Sequence, residues 1–277
     1  MASLNQRIGF FGAGRMATAL AGGILEAGVC RPDQALAGDV DAVQRRRFER
    51  ETGVKTTAQN EEVASFCDVA VLAVKPHHVR EVLSVIQRPF GGKLLVSIAA
   101  GISIATLEKG LDSRARVARV MPNTPALARA GASGYATGRN AQPDDSRTVE
   151  AILGAVGLVF QLPEKLLDAV TGLSGSGPAY IFSVIEALSD GGVEMGLSRD
   201  TATRLATQTT LGAAKLVLDT GKSPMELREM VTSPGGTTVE GLRVLKEKNI
   251  HAAFVEAVRA ATEKSKLLGK SNELGEI

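Results

Sequence analysis

As far as Pro163 the chain alternates short apolar runs with amphipathic stretches of about ten residues, the rhythm of strands joined by crossover helices. The runs expected as strands are Arg7–Phe11, Ala35–Gly38, Lys55–Thr57, Val69–Val74, Leu94–Ile98, Arg116–Met121, Ser133–Thr137 and Leu158–Leu162. Most are apolar at successive positions, as strands covered on both faces must be. From Pro163 onward the apolar positions recur with helical spacing and the strand signals stop. Helices are expected over Ala179–Met195, Arg199–Thr220, Pro224–Val231, Thr238–Lys248 and Ala252–Leu268, and Ser223-Pro224-Met225-Glu226 reads as a capping box with proline at N1. The pattern predicts an α/β domain over residues 1–163 and an all-α domain over residues 164–277, with the last seven residues a frayed tail. Within Arg199–Thr220, the residues Thr203, Ala206, Thr207, Thr210, Ala213 and Ala214 form a stripe of small side chains for close helix packing. So few charges between Leu205 and Leu218 predict that a second copy of the chain completes this core, making a homo-oligomer.

Composition narrows the partners. With 44% apolar and 22% charged residues, no Trp, two Tyr and a net charge of +2, the chain offers neither a dense basic field nor stacking platforms for nucleic acid. The longest uncharged runs, such as Leu94–Leu107, contain Gly and Ser and fall short of the roughly 20 apolar residues of a membrane span. The first apolar run, Ile8–Phe11, ends at once in Gly-Ala-Gly, which is not the course of a signal peptide. Two cysteines, Cys30 and Cys67, at positions that read as helix ends imply no disulfide framework, and a cytoplasmic location is expected.

Gly12-Ala13-Gly14-Arg15-Met16-Ala17 follows the first strand and opens a helix, the G-x-G-x-x-A pattern of a dinucleotide-binding, Rossmann-like domain. Gly12 permits the turn, Gly14 admits a pyrophosphate to the backbone, and the start of the helix presents unpaired N–H groups to it. About twenty residues on, Asp39 stands where an acid accepts hydrogen bonds from an adenine ribose, which favours NAD. The neighbouring Arg45, Arg46 and Arg47 are candidates for a 2′-phosphate, and Asp39 is also placed to cap a helix, so NAD and NADP both stay open. Lys75, at the end of the fourth strand, is placed to meet a phosphate or ribose. The adjacent His77 and His78 lack partners for a ligand set, no metal is expected, and His251 reads as an ordinary helix-start residue.

Taken together, Ala73-Val74-Lys75-Pro76, Ser97-Ile98-Ala99-Ala100-Gly101, Val120-Met121-Pro122-Asn123-Thr124-Pro125, Ser174-Gly175-Ser176-Gly177-Pro178-Ala179-Tyr180 and Ser233-Pro234-Gly235-Gly236-Thr237-Thr238 resemble pyrroline-5-carboxylate reductase, from about residue 7 to residue 268. The resemblance implies reduction of 1-pyrroline-5-carboxylate to L-proline by NADPH or NADH, the last step of proline biosynthesis. It also implies a helical domain that interlocks in a dimer, often built up into decamers. By motif, it places Gly12, Gly14, Arg15, Met16, Asn60, Ala73, Lys75 and Asn123 along the cofactor, and Gly175, Ser233, Gly236, Thr237 and Thr238 along the substrate. One departure touches cofactor choice: many members carry Ser, Thr or Arg where this chain has Gly38-Asp39-Val40-Asp41.

At Pro234-Gly235-Gly236-Thr237-Thr238, proline stops one helix, the glycines turn the chain, and Thr237 with Glu240 reads as a capping box for the next. As an anion site, such a helix start holds a small carboxylate on backbone N–H groups, without an arginine. As a structural element, it is an ordinary helix-to-helix turn. Ser174–Pro178 reads in the same two ways, as a backbone approach to the substrate ring or as a helix entry. The cyclic imine accepts hydride best as its iminium and can arrive already protonated, so orientation is the main task. Thr238 is the candidate catalytic residue, hydrogen-bonded to the ring nitrogen. A β-hydroxyacid dehydrogenase needs a lysine base, and Ala179–Met195 contains none. A non-catalytic dinucleotide sensor has no use for the turn at Ser233–Thr238.

Overall fold

β1 (Ile8–Phe11) is buried at all four positions, and so are β4 (Val69–Leu72) and β5 (Leu94–Ser97). Alternate residues feed two separate cores: Ile8, Phe10, Val69 and Val71 enter one, and Phe11, Ala70 and Leu72 the other. Each such side chain withdrawn from water contributes roughly 1.5–3 kcal/mol before conformational entropy is subtracted. This is why the runs read as continuously apolar. The computed structural model describes residues 4–273, and in it these strands lie in one eight-stranded sheet. The others are β2 (Ala35–Gly38), β3 (Lys55–Thr57), β6 (Arg116–Met121), β7 (Gly131–Thr137) and β8 (Gly157–Gln161), in the order β3-β2-β1-β4-β5-β6-β7-β8.

Helices α1 (Arg15–Glu26), α2 (Ala42–Thr52) and α6 (Pro143–Gly154) cover the first core. α3 (Asn60–Phe66), α4 (Val79–Ile86) and α5 (Ile104–Gly110) cover the second. All pairings are parallel except β6 with β7. There the connection holds a short 3₁₀ turn, Thr124–Ala128, and is too short for the crossover that a parallel neighbour requires.

Beyond the sheet come α7 (Leu167–Val170), a π-helical turn at Thr171–Gly175, α8 (Gly177–Glu194), α9 (Arg199–Thr220), α10 (Pro224–Met230), α11 (Thr237–Glu247) and α12 (Ile250–Glu273). The tail expected from residue 271 has its first three positions in α12, and residues 274–277 lie outside the described residues. Spatial clustering gives two compact units: the residues up to Ser176 with those from Ala260 onward, and Gly177–Arg259. The change of hydrophobic period at residue 163 and this division are different boundaries. Leu167 is buried in the second sheet core, and Ser265 of α12 donates to Asp168 Oδ1 at 2.7 Å, so both ends of the helical region belong to the first unit. Within the second unit, α8 packs on α9 through the buried Ala202 and Ala206, yet Phe182, Leu205, Leu211 and Leu218 stay more than half exposed. So much exposed large apolar surface marks an interaction face.

Candidate active site

At the carboxyl ends of β1, β2 and β4, where open α/β sheets collect ligands, lies a cavity of about 470 Å³. Seven of the nine residues expected along the cofactor line it: Gly12, Gly14, Arg15, Asp39, Asn60, Ala73 and Lys75. Gly12 has φ +99°, and a Cβ there would sit 2.9 Å from the carbonyl oxygen of Ala73, so glycine is required on two counts. A Cβ on Gly14 would meet nothing within 4 Å, so a side chain there would project into open space above the helix start. Gly14 is the N-cap of α1 and supplies no side-chain cap, leaving the first amides of the helix for an incoming anion.

The glycine loop is held by its neighbours. The Gly12 amide donates to the Gly38 carbonyl at 2.7 Å, and the Ala13 amide donates to Asp39 Oδ2 at 2.8 Å. Asp39 is thus not the helix cap; Asp41 caps α2 by accepting from the Val43 amide. Arg45 Nη1 donates to the carbonyls of Asp39 and Val40, and Arg47 Nη2 to that of Ala13. Gln44 also lines the cavity, and its buried Oε1 has no hydrogen-bond partner. Such an atom costs roughly 1–3 kcal/mol, and rotation toward a donor in the cavity removes that cost. The glycine cradle, the uncapped helix start and this unpaired acceptor fit a dinucleotide.

Met16 and Asn123 do not line the cavity. Met16 packs against the first core. Asn123 is buried; its Oδ1 accepts from the Ala132 amide at 2.9 Å and its Nδ2 donates to the Ser174 carbonyl at 3.1 Å. It therefore ties the end of β6 and the start of β7 to the π-helical turn, which ends on Gly175. A Cβ on Gly175 would lie 2.6 Å from Met121 Cε. A side-chain hydroxyl bond from Ser174 to the Val170 carbonyl and the Ser176 amide bond to the Thr171 carbonyl keep the turn wide. Of the two readings of Ser174–Pro178, a backbone approach to the substrate ring or a simple helix entry, neither anticipated this braced π-helical turn.

In the second unit, Ser233 and Gly236 lie between α10 and α11, and Thr237 and Thr238 open α11. Gly235 turns the chain at φ +70°. The capping box expected from Thr237 and Glu240 is absent. Thr237 is already inside α11, the N-cap is Gly236 with no side-chain bond, and Glu240 pairs with Arg243 at 3.0 Å. Gly236 can cap because glycine enters a helix without strain, and the result is a start whose amides no side chain covers.

His78 lines the dinucleotide cavity beside Glu81, and among the described residues no group of three or more His, Cys, Asp or Glu is placed to hold a metal. Cys30 and Cys67 are buried, unpaired in disulfides and far from either glycine turn in sequence; burial pushes both thiols up to about 11. Sequence reasoning missed Gln44, Val40, His78 and Glu81 as lining residues. Their only signal was position, Val40 and His78 beyond strand ends and Gln44 and Glu81 in the first turns of α2 and α4.

Comparison with known proteins agrees with this geometry. Residues 164–268 match the family described as pyrroline-5-carboxylate reductase dimerisation, and residues 7–101 match that described as NADP oxidoreductase coenzyme F420-dependent. A pyrroline-5-carboxylate reductase of Methanosarcina acetivorans is 48% identical over 96% of this chain and 99% of its own. The solved structure of a pyrroline-5-carboxylate reductase from Coxiella burnetii superposes with a TM-score of 0.91 at 37% identity, covering 96% of this chain and 99% of that one. That of a Plasmodium falciparum pyrroline carboxylate reductase with NADP bound gives 0.86 at 35% identity, over 97% and 100%. This chain belongs to the pyrroline-5-carboxylate reductase family.

Proposed function

We propose that this protein reduces 1-pyrroline-5-carboxylate to L-proline with NADH or NADPH, the last step of proline biosynthesis. The observation that carries the reading is the start of α11, a helix that begins on Gly236 without a side-chain cap and places Thr238 in its first turn. Backbone amides there hold the substrate carboxylate, with Ser233, Gly236 and Thr237 shaping the turn around it. Thr238 hydrogen-bonds the ring nitrogen and steadies the product amine. When bound, the reduced nicotinamide supplies the hydride. Gly12, Gly14, Arg15, Asn60, Ala73 and Lys75 hold the dinucleotide, and Asn123 braces the π-helical turn that carries Gly175, a further candidate for substrate contact. With an iminium substrate the chain needs no strong base, and its work is positioning.

In this reading residues 1–163 serve as the dinucleotide-binding domain and residues 164–277 bind substrate and dimerise. The exposed apolar side chains of α8 and α9 support a homodimer, which can assemble further into a decamer. No helix among the described residues is long and apolar enough to cross a membrane, and two unpaired cysteines accord with a reducing compartment such as the cytoplasm. The test is oxidation of NADH and NADPH in parallel with pyrroline-5-carboxylate, using the wild type and Thr238→Ala. Turnover by the wild type is expected, with kcat of the variant lower by roughly 100-fold and its NADH affinity unchanged. Loss of cofactor affinity instead would remove Thr238 from the substrate site.

A further inference from the structure

The dinucleotide cavity carries an uneven set of charges at its adenosine end. Asp39 and Asp41 both line it, and the Asp39 carboxylate is pinned there by two backbone donors, the Ala13 amide on Oδ2 at 2.8 Å and the Asp41 amide on Oδ1 at 2.9 Å. Each carboxylate oxygen has a further lone pair for a hydroxyl donor. Of the three arginines that follow Asp39 only Arg47 lines the cavity, and the cavity's other cations, Arg15 and Lys75, stand at the start of α1 and just beyond β4. Arg45 does not line the cavity; its Nη1 braces the loop by bonding the Asp39 carbonyl at 2.6 Å and the Val40 carbonyl at 3.1 Å. Arg46 is exposed and also lies off the cavity wall. Arg47 reaches the cavity, but its Nη2 is bonded to the Ala13 carbonyl, on the glycine loop that receives the pyrophosphate. Next to Asp39 stands Val40, an exposed apolar side chain on the same wall, suited to the face of an adenine ring.

From these placements we propose that the protein selects NADH over NADPH, with Asp39 accepting the ribose 2′-hydroxyl and excluding a 2′-phosphate. The inference rests on the dinucleotide reading above and goes beyond it by choosing between the two cofactors. A phosphate at the 2′-oxygen has no hydrogen to donate to Asp39 and sets like charges against each other. The ribose hydroxyl of NADH donates a hydrogen bond instead. The loop cannot relax to lengthen this contact without breaking the Ala13 and Asp41 amide bonds that hold both the carboxylate and the glycine turn.

Titration of the full-length protein with NADH and with NADPH, followed by calorimetry, measures this without turnover. The wild type is expected to bind NADH tighter by roughly tenfold or more, with the ratio shrinking as salt is raised because charge repulsion is screened. Asp39→Ser is expected to shift the ratio toward NADPH by a similar factor. Asp39→Asn, closer in shape, gives the same direction should the serine variant not fold. Equal affinities, tighter NADPH binding, or a folded Asp39 variant that weakens both cofactors in the same proportion would overturn the selectivity. Failure of the folded wild type to bind either dinucleotide would overturn the oxidoreductase reading itself, so the two failures are distinguishable.

Discussion

Two helix starts, one in each compact unit, use glycine at the cap for different physical reasons. At α1, Gly12 lies against a neighbouring strand's backbone with a positive φ, and Gly14 faces open space; the glycines let the loop pass close to β4 and then stand clear of the cavity. At α11, Gly235 has a positive φ with nothing within 4 Å of a would-be Cβ, so the need there is backbone conformation alone. Four other helices carry side-chain caps, while α3, α4 and α7 start without one. Asp41, Ser103, Ser198 and Ser223 accept amide hydrogens at the starts of α2, α5, α9 and α10. A side-chain cap contributes about 1 kcal/mol.

The comparison can be broken in graded steps. The largest effect is expected for Gly12→Val. A β-branched residue at φ +99° against the Ala73 carbonyl should lower stability by roughly 3 kcal/mol, read by urea denaturation, and abolish NADH binding. Asn123→Asp tests whether the π-helical turn depends on its side-chain tie. The carboxylate would face the Ser174 carbonyl without a donor, costing roughly 2 kcal/mol at neutral pH. Burial and that carbonyl raise the new carboxyl's folded pKa above its unfolded value, so the folded state takes up the proton first. Relative to wild type, the variant should therefore gain stability as the pH falls, because the protonated carboxyl donates to Ser174. A variant deficit independent of pH between pH 4 and pH 8 would reject the tie; these pH limits are roughly those of carboxylate titration.

Gly235→Ala should cost only about 1 kcal/mol, since strain is present without a clash; a loss as large as that of Gly12→Val would erase the distinction between the two turns. The smallest stability change belongs to Gly14→Ser. A serine cap on α1 should raise stability by a few tenths of a kcal/mol while weakening NADH binding roughly tenfold. Unchanged binding would mean the open start of α1 is not where the pyrophosphate sits.

Much of the molecule was legible beforehand because it depends on neighbours in sequence. Alternation of apolar runs located all eight strands to within about two residues, and helical spacing found α8 to α12. The G-x-G-x-x-A pattern marked Gly12 and Gly14, whose constraints arise from a local turn. The capping box at Thr237 and Glu240 was misread because a Gly-Gly-Thr-Thr run offers two adjacent capping positions, and the chain takes the earlier one.

What local pattern did not contain are the relations between distant residues. The reversal of β7 followed from the length of a connection, and the return of α12 to the first unit rests on Ser265 meeting Asp168. Asp39 and Ala13 are 26 positions apart, and Asn123 and Ser174 are 51 apart. From sequence, Asp39 was a candidate for a ribose hydroxyl or a helix cap and Arg45, Arg46 and Arg47 were candidates for a 2′-phosphate, which left NAD and NADP both open. Folding set Arg45 Nη1 and Arg47 Nη2 on backbone carbonyls and the Asp39 carboxylate on the Ala13 and Asp41 amides, and a donor already bonded to a carbonyl is no longer available to a ligand at the same strength. Periodicity and turn chemistry thus determined which elements form and where glycine is required, while the tertiary packing decided which charges are left to face the cofactor.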